Sequence, residues 1–136
     1  ANRGENITVI FVNNNVYGMT GGQMAPTTLP GQKTTTSPGG RNPSNDGHPI
    51  QVAELLASLK GTAFAARVSL HNHLHVRKAR KAMQKAFLAK IEKRGFSIIE
   101  LLSACPTNWG MSPQQSLTRM ADEMIPAFPL DTFKDF

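Results

Sequence analysis

The 136 residues include 40% hydrophobic and 18% charged residues and carry a formal net charge of +6. That is the length of one domain or part of one, with a balance that builds a core and argues against disorder. No apolar run approaches the roughly 20 residues that cross a bilayer, and the polar start "ANRGENIT" has no apolar centre of a secretory signal. Cys105 is the sole cysteine, which excludes an internal disulfide framework and fits a reducing, cytoplasmic setting.

In chain order, "ANRGEN" reads like the frayed end of a helix, so the sequence is expected to be a piece of a longer polypeptide. Residues 7–12, "ITVIFV", form a β-branched and aromatic run broken only by Thr8, which suits a parallel strand buried on both faces. Residues 13–47 have no periodic pattern and are crowded with Gly, Pro, Thr, Asn and Ser. A connection longer than roughly 12–15 residues in a compact domain tends to be functional or disordered. Pro49 opens a helix with Val52, Leu55, Leu56 and Leu59 at helical spacing, and Gly61 is its expected C-cap.

"TAFAARVSL" (62–70) reads as a second buried strand. Asn72 then caps a long helix with apolar positions Val76, Ala79, Met83, Ala86, Phe87 and Ile91, ending at Gly95. "FSIIELLSA" (96–104) is a third strand, Pro113 to Met124 another helix, and "PAFPLDTFKDF" a less regular tail. Strands alternating with helices predict an α/β fold with a parallel sheet and right-handed crossovers. Ligands in such sheets sit beyond the carboxyl ends of strands. Two loops leave such ends, one after the first strand and one at Cys105–Gly110, and both are expected on the same edge.

The glycines of "GMTGGQ" lack the dinucleotide spacing, and "GQKT" lacks the glycines of a P-loop. The asparagines carry more. An amide oxygen at a strand end and a backbone carbonyl two residues on, here Asn14 and Val16, supply half of a site for Mg²⁺, which takes roughly six oxygens, some from a bound diphosphate. The same residues also fit a plain asparagine-rich turn. His71, His73 and His75 alternate, but a helix starting after Asn72 makes them diverge, which argues against a zinc site. Eight of the fifteen basic residues lie between Arg77 and Arg94, opposed there only by Glu92. Without interleaved aromatic residues for stacking, they read as a solvated helix face on the side opposite the apolar stripe. A non-catalytic basic binding module, for nucleic acid or an acidic partner, is the competing class.

"NNNVYGMTGGQMAPTT" (13–28) resembles the second half of the thiamine-diphosphate motif of the β subunits of 2-oxoacid:ferredoxin oxidoreductases. Asn13 stands where that motif usually has aspartate; Asn14, Tyr17, Gly18, Met19, Thr20, Gly21, Gly22 and Gln23 match it. The likeness continues through "GQKTTTSPGGRNP", "GHPIQVAELLASL", "FAARVS", "GFSIIELLSACPTNWG" and "FPLDTFKD". It looks closest to the 2-oxoglutarate and 2-oxoisovalerate branches.

The resemblance implies a three-layer thiamine-diphosphate-binding fold of which residues 1–136 are the C-terminal part. Residues 13–47 would be its cofactor-side loop and 105–136 a C-terminal extension. It implies that the Asn14 side chain and Val16 carbonyl bind Mg²⁺ and that Gly18, Met19 and Thr20 line the cofactor. It also implies that Cys105 joins three upstream cysteines on a [4Fe–4S] cluster in members that carry one. The remaining metal ligand, an upstream aspartate, and the glutamate that activates the cofactor are not in this sequence, so the chain alone is expected to be inactive. The implied partners are the α and further subunits, ferredoxin, coenzyme A and a 2-oxo acid, with no nucleic acid and no membrane.

Overall fold

The computed structural model describes residues 1–136, arranged as a sheet covered on both faces. Strands β1 (Thr8–Asn13), β4 (Thr62–Ser69), β5 (Phe96–Leu102) and β6 (Asp131–Lys134) form it, with β2 (Val16–Tyr17) and β3 (Gln23–Met24) as a small hairpin beside it. The helices are α1 (Pro43–Asp46), α2 (Val52–Ala57), α3 (His73–Ile91), α4 (Pro106–Trp109), α5 (Pro113–Arg119) and α6 (Ile125–Ala127), with a π-helical turn at Met120–Met124. The sheet order is β1-β5-β4-β6. β1, β5 and β4 run parallel, and β6 joins β4 antiparallel.

Strand alternation divides the core into layers. Phe64, Ala66, Ile99 and Leu101 pack against the alanines of α3, namely Ala79, Ala86 and Ala89. On the other face Ala65, Phe96 and Ile98 meet Phe11 and the apolar side of α2. A third cluster (Leu102, Met120, Met124 and Phe128, with Leu29) fixes the C-terminal segment over the long loop. This is the α/β/α arrangement expected from the alternating elements.

Several local expectations are corrected. Among residues 1–136, β1 is an edge strand and is not buried on both faces: Val9, Ile10 and Val12 are exposed, Val12 to 54%. In α3 the predicted stripe is only half right, because Ala79 and Ala86 are buried whereas Val76, Phe87 and Ile91 are exposed. Small alanines let the helix approach the sheet closely, and its flank beyond them overhangs the uncovered β1 side. Lys78, Lys81 and Lys85 line the opposite flank, over β4 and β6.

The helix expected from Pro49 starts at Val52 and is capped at Ser58, not Gly61. Gly61 instead lies against the N-terminal segment, where a Cβ would come within 2.4 Å of the Ala1 carbonyl. β6 forms within the stretch read as irregular. Residues 13–47 are built rather than shapeless. Buried Arg41 donates to the carbonyls of Ala25, Pro26, Thr28, Asp46, Gly47 and His48 at 2.9–3.2 Å, drawing both halves of the loop around one guanidinium.

Candidate functional site

The carboxyl ends of β1, β4 and β5 open on one edge, and the loops after β1 and β5 meet there. Asn13 ends β1 fully buried, and its Oδ1 accepts the Asn15 N–H at 3.1 Å, closing a turn. That turn places Asn15 at φ 61, a left-handed conformation that asparagine tolerates better than most side chains. The Asn15 carbonyl is held by Thr28 Oγ1 at 2.6 Å. Its buried side chain has no partner, an arrangement that costs roughly 1–3 kcal/mol. Strain and unpaired polar groups of this kind concentrate at functional sites.

From the other loop, Trp109 Nε1 donates to the Asn14 carbonyl at 3.1 Å. Asn108 Nδ2 donates both to the Gly18 carbonyl at 3.1 Å and to Cys105 Sγ at 3.2 Å. The glycines make this clasp possible. A Cβ on Gly18 would lie 3.2–3.5 Å from Cys105, Asn108 and Asn14, and one on Gly22 only 2.5 Å from Asn108 Oδ1. The Arg119 guanidinium stacks 4.6 Å from the Trp109 ring and fixes its plane.

The expected site residues fall into two groups. Asn14, Gly18 and Cys105 converge at the clasp, with Val16 two residues on from Asn14 at the start of β2. Met19 and Thr20 lie at the exposed tip of the loop, where Thr20 Oγ1 hydrogen-bonds Gln23 Oε1 at 2.7 Å and Met19 is fully exposed. The Asn14 side-chain oxygen receives only a long 3.4 Å contact from the Val16 N–H, so it retains acceptor capacity for a cation. A hard cation such as Mg²⁺ takes amide and carbonyl oxygens, and the donor set fits. Cys105 is half-buried, and no group of three or more His, Cys, Asp or Glu side chains is placed to hold a metal.

The divergence expected of the three histidines is only partial. Asn72 caps α3 by accepting the His75 N–H at 3.0 Å, and the His71 and His75 rings stand 4.2 Å apart. Burial, and then the neighbouring His75, push the His71 pKa below its ordinary value.

Behind the loop lies a buried polar network. Asn13 Nδ2 donates to Glu100 Oε1 at 2.7 Å, and Glu100 Oε2 accepts from Arg67 Nε at 3.0 Å and the Ala53 N–H at 3.2 Å. Arg67 continues to Glu54 and to the Pro129 carbonyl, and its guanidinium lies 5.3 Å and 5.1 Å from the Phe128 and Phe133 rings. Sequence reading missed Asn108, Trp109, Glu100, Arg67 and Arg41. The available signal was an arginine and a glutamate inside two strands otherwise fit for burial, since such charges are buried only when paired.

Residues 1–101 match the thiamine pyrophosphate enzyme C-terminal TPP binding domain. The chain belongs to this family. It is 46% identical over 135 residues to the ketoisovalerate oxidoreductase subunit VorA of Methanothermobacter marburgensis, covering 99% of this chain and 28% of that relative. It is 34% identical to the 2-oxoglutarate synthase subunit KorB of Archaeoglobus fulgidus, covering 88% of this chain and 40% of that one.

Among solved structures it resembles a 2-oxoglutarate:ferredoxin oxidoreductase from Magnetococcus marinus with 2-oxoglutarate, coenzyme A and succinyl-CoA bound. There the TM-score is 0.60 and the identity 25%, over 90% of this chain and 37% of that one. The chain thus spans less than half the length of these relatives. The family match bears out the fold and the thiamine-diphosphate expectation, and nothing favours the basic binding module.

Proposed function

We propose that these residues form the diphosphate side of the cofactor site in a 2-oxoacid:ferredoxin oxidoreductase, which converts a 2-oxo acid and coenzyme A to an acyl-CoA and carbon dioxide and passes the electron pair to ferredoxin. The observation that carries this reading is the meeting of Asn14 and Gly18 with the Asn108–Trp109 clasp at the carboxyl edge of a parallel sheet. In it Asn14 Oδ1 and the Val16 carbonyl would hold Mg²⁺, which would supply the positive charge that anchors a diphosphate. Gly18, Met19 and Thr20 border that diphosphate. Bound thiamine diphosphate supplies the nucleophilic thiazolium carbon and the electron sink for decarboxylation.

The protein's part is positional. Trp109 fixes the peptide of Asn14, Asn108 turns the Gly18 carbonyl toward α4, and the glycines let a diphosphate approach the backbone. Cys105, with an amide N–H already on its sulfur, would contribute one thiolate to a [4Fe–4S] cluster whose other three ligands come from the longer subunit. The similarity to the ketoisovalerate subunit supports a branched-chain 2-oxo acid as substrate.

The test is an assay of the complete enzyme with a panel of 2-oxo acids, coenzyme A and ferredoxin. Ferredoxin reduction dependent on both coenzyme A and thiamine diphosphate, with the highest kcat/KM for 2-oxoisovalerate, is expected. No reduction with any 2-oxo acid would overturn the oxidoreductase reading, and a preference for 2-oxoglutarate would overturn the substrate.

A further inference from the structure

We propose that Glu100, acting through the side chain of Asn13, is a positioning residue for the cation half-site of Asn14 and Val16; this rests on the Mg²⁺ reading above. Neither residue was among the expected ligands. Asn13 is the position where the sequence departs from the aspartate usual in motifs it resembles, and the structure supplies a reason for the amide.

Asn13, Glu100 and Arg67 lie on the α2 face of three adjacent strands, and their side chains are all but inaccessible to water. A carboxylate only accepts hydrogen bonds. Glu100 therefore dictates which way the Asn13 amide faces, since the atom 2.7 Å from Glu100 Oε1 must be the Nδ2 donor. The amide oxygen is then forced toward the Asn15 N–H, which it accepts at 3.1 Å. That bond closes the left-handed turn carrying Asn14 and leading into Val16. The other carboxylate oxygen is occupied by Arg67 and the Ala53 N–H, so Glu100 has no freedom to turn away. Information passes from the strand core to the loop through one oriented amide.

This relay has a signature that a merely structural glutamate lacks. In Glu100→Gln the side-chain oxygen must serve Arg67 and Ala53, which leaves an N–H₂ facing Asn13. The Asn13 amide flips to accept it and presents its own N–H₂ to the Asn15 N–H, breaking the turn. In Asn13→Asp the turn acceptor survives, but two carboxylates face each other in a buried site. In the double variant Asn13→Asp with Glu100→Gln, the new carboxylate accepts from both the new amide N–H₂ and the Asn15 N–H. The geometry then returns with the polarity of the bond between the two side chains reversed. Asn13→Leu removes the relay and leaves the Arg67 and Ala53 bonds to Glu100 intact.

The experiment uses the complete subunit assembled in its complex and reads two quantities. One is hydrogen exchange of the Asn15 amide without metal or cofactor; the other is the Mg²⁺ dissociation constant in the presence of thiamine diphosphate. Glu100→Gln and Asn13→Leu are expected to lose Asn15 protection and weaken Mg²⁺ about 10–100-fold, the usual loss when support for a ligand is removed. The double variant is expected to recover both, a strong non-additivity between neighbours.

Should Glu100→Gln not assemble, Asn13→Leu and the double variant still decide. Wild-type protection and affinity in Asn13→Leu, or a double variant no better than its single parents, would overturn the proposal. The exchange readout needs no metal, so it keeps its meaning if Asn14→Ala shows that the Mg²⁺ assignment itself is wrong.

Discussion

Trp109 Nε1 lies 3.1 Å from the Asn14 carbonyl oxygen and donates to it, joining the turn after β5 to the first turn after β1. The two residues are 95 positions apart, and the parallel register of β1 and β5 is what brings them together. The site is therefore a product of the sheet and not of either loop.

Trp109→Phe keeps a ring beneath Arg119 and removes the N–H. The Asn14 carbonyl then loses a part-buried partner, which costs about 0.5–1.5 kcal/mol. A lower denaturation midpoint with unchanged m-value, and weaker Mg²⁺ binding in the complete enzyme, are the expected outcomes. Equal midpoints and affinities would show that the indole does not support the loop.

Gly22→Ala introduces a Cβ 2.5 Å from Asn108 Oδ1 at a residue with φ +77. The backbone conformation alone costs about 1–2 kcal/mol, and Asn108 must also leave Gly18 and Cys105. Adding Asn108→Ala removes the obstacle but not the backbone cost. The double variant is thus expected to be more stable than the sum of the two single losses predicts, as read by chemical denaturation.

His71 sets a pH dependence. Its pKa is lowered by burial and by His75, so the folded state binds this proton less readily than the unfolded chain does. Its contribution is fully present above the ordinary histidine value of ~6.5 and is lost as pH falls through the lowered folded value. Thermal melts of the wild type should lose stability from about pH 6.5 downward, and His71→Gln should flatten that part of the profile. Identical slopes in both proteins would exclude His71 as the source.

The sequence shows the layers of this fold more clearly than its edges. Strands β4 and β5 and the cap at Asn72 are read correctly, because continuous apolar runs and an N-cap asparagine report local physics. The exposure of β1 is not legible. Val9, Ile10 and Val12 have the composition of a doubly buried strand, and none of these 136 residues covers them.

β6 is missed because its four residues pair only with β4, a long-range contact without a local pattern. Asn14 and Val16 are put forward from the donor chemistry of a strand end, and Gly18 from a motif resemblance. Asn108, Trp109 and Glu100 act across the sheet, where spacing along the chain carries no information. The loop from 13 to 47 looks shapeless for a similar reason, since its organiser is one arginine bonded to six backbone carbonyls.

The central claim is that Asn14 and Val16 form half of a Mg²⁺–diphosphate site, and Asn14→Ala in the complete enzyme tests it most directly. The variant keeps the Val16 carbonyl and the Trp109 bond to the backbone, so assembly should be preserved. Equilibrium binding of thiamine diphosphate across a Mg²⁺ titration is the measurement. Loss of Mg²⁺-dependent cofactor retention in an otherwise assembled complex is the predicted result. An unchanged Mg²⁺ requirement and unchanged cofactor affinity would contradict the account.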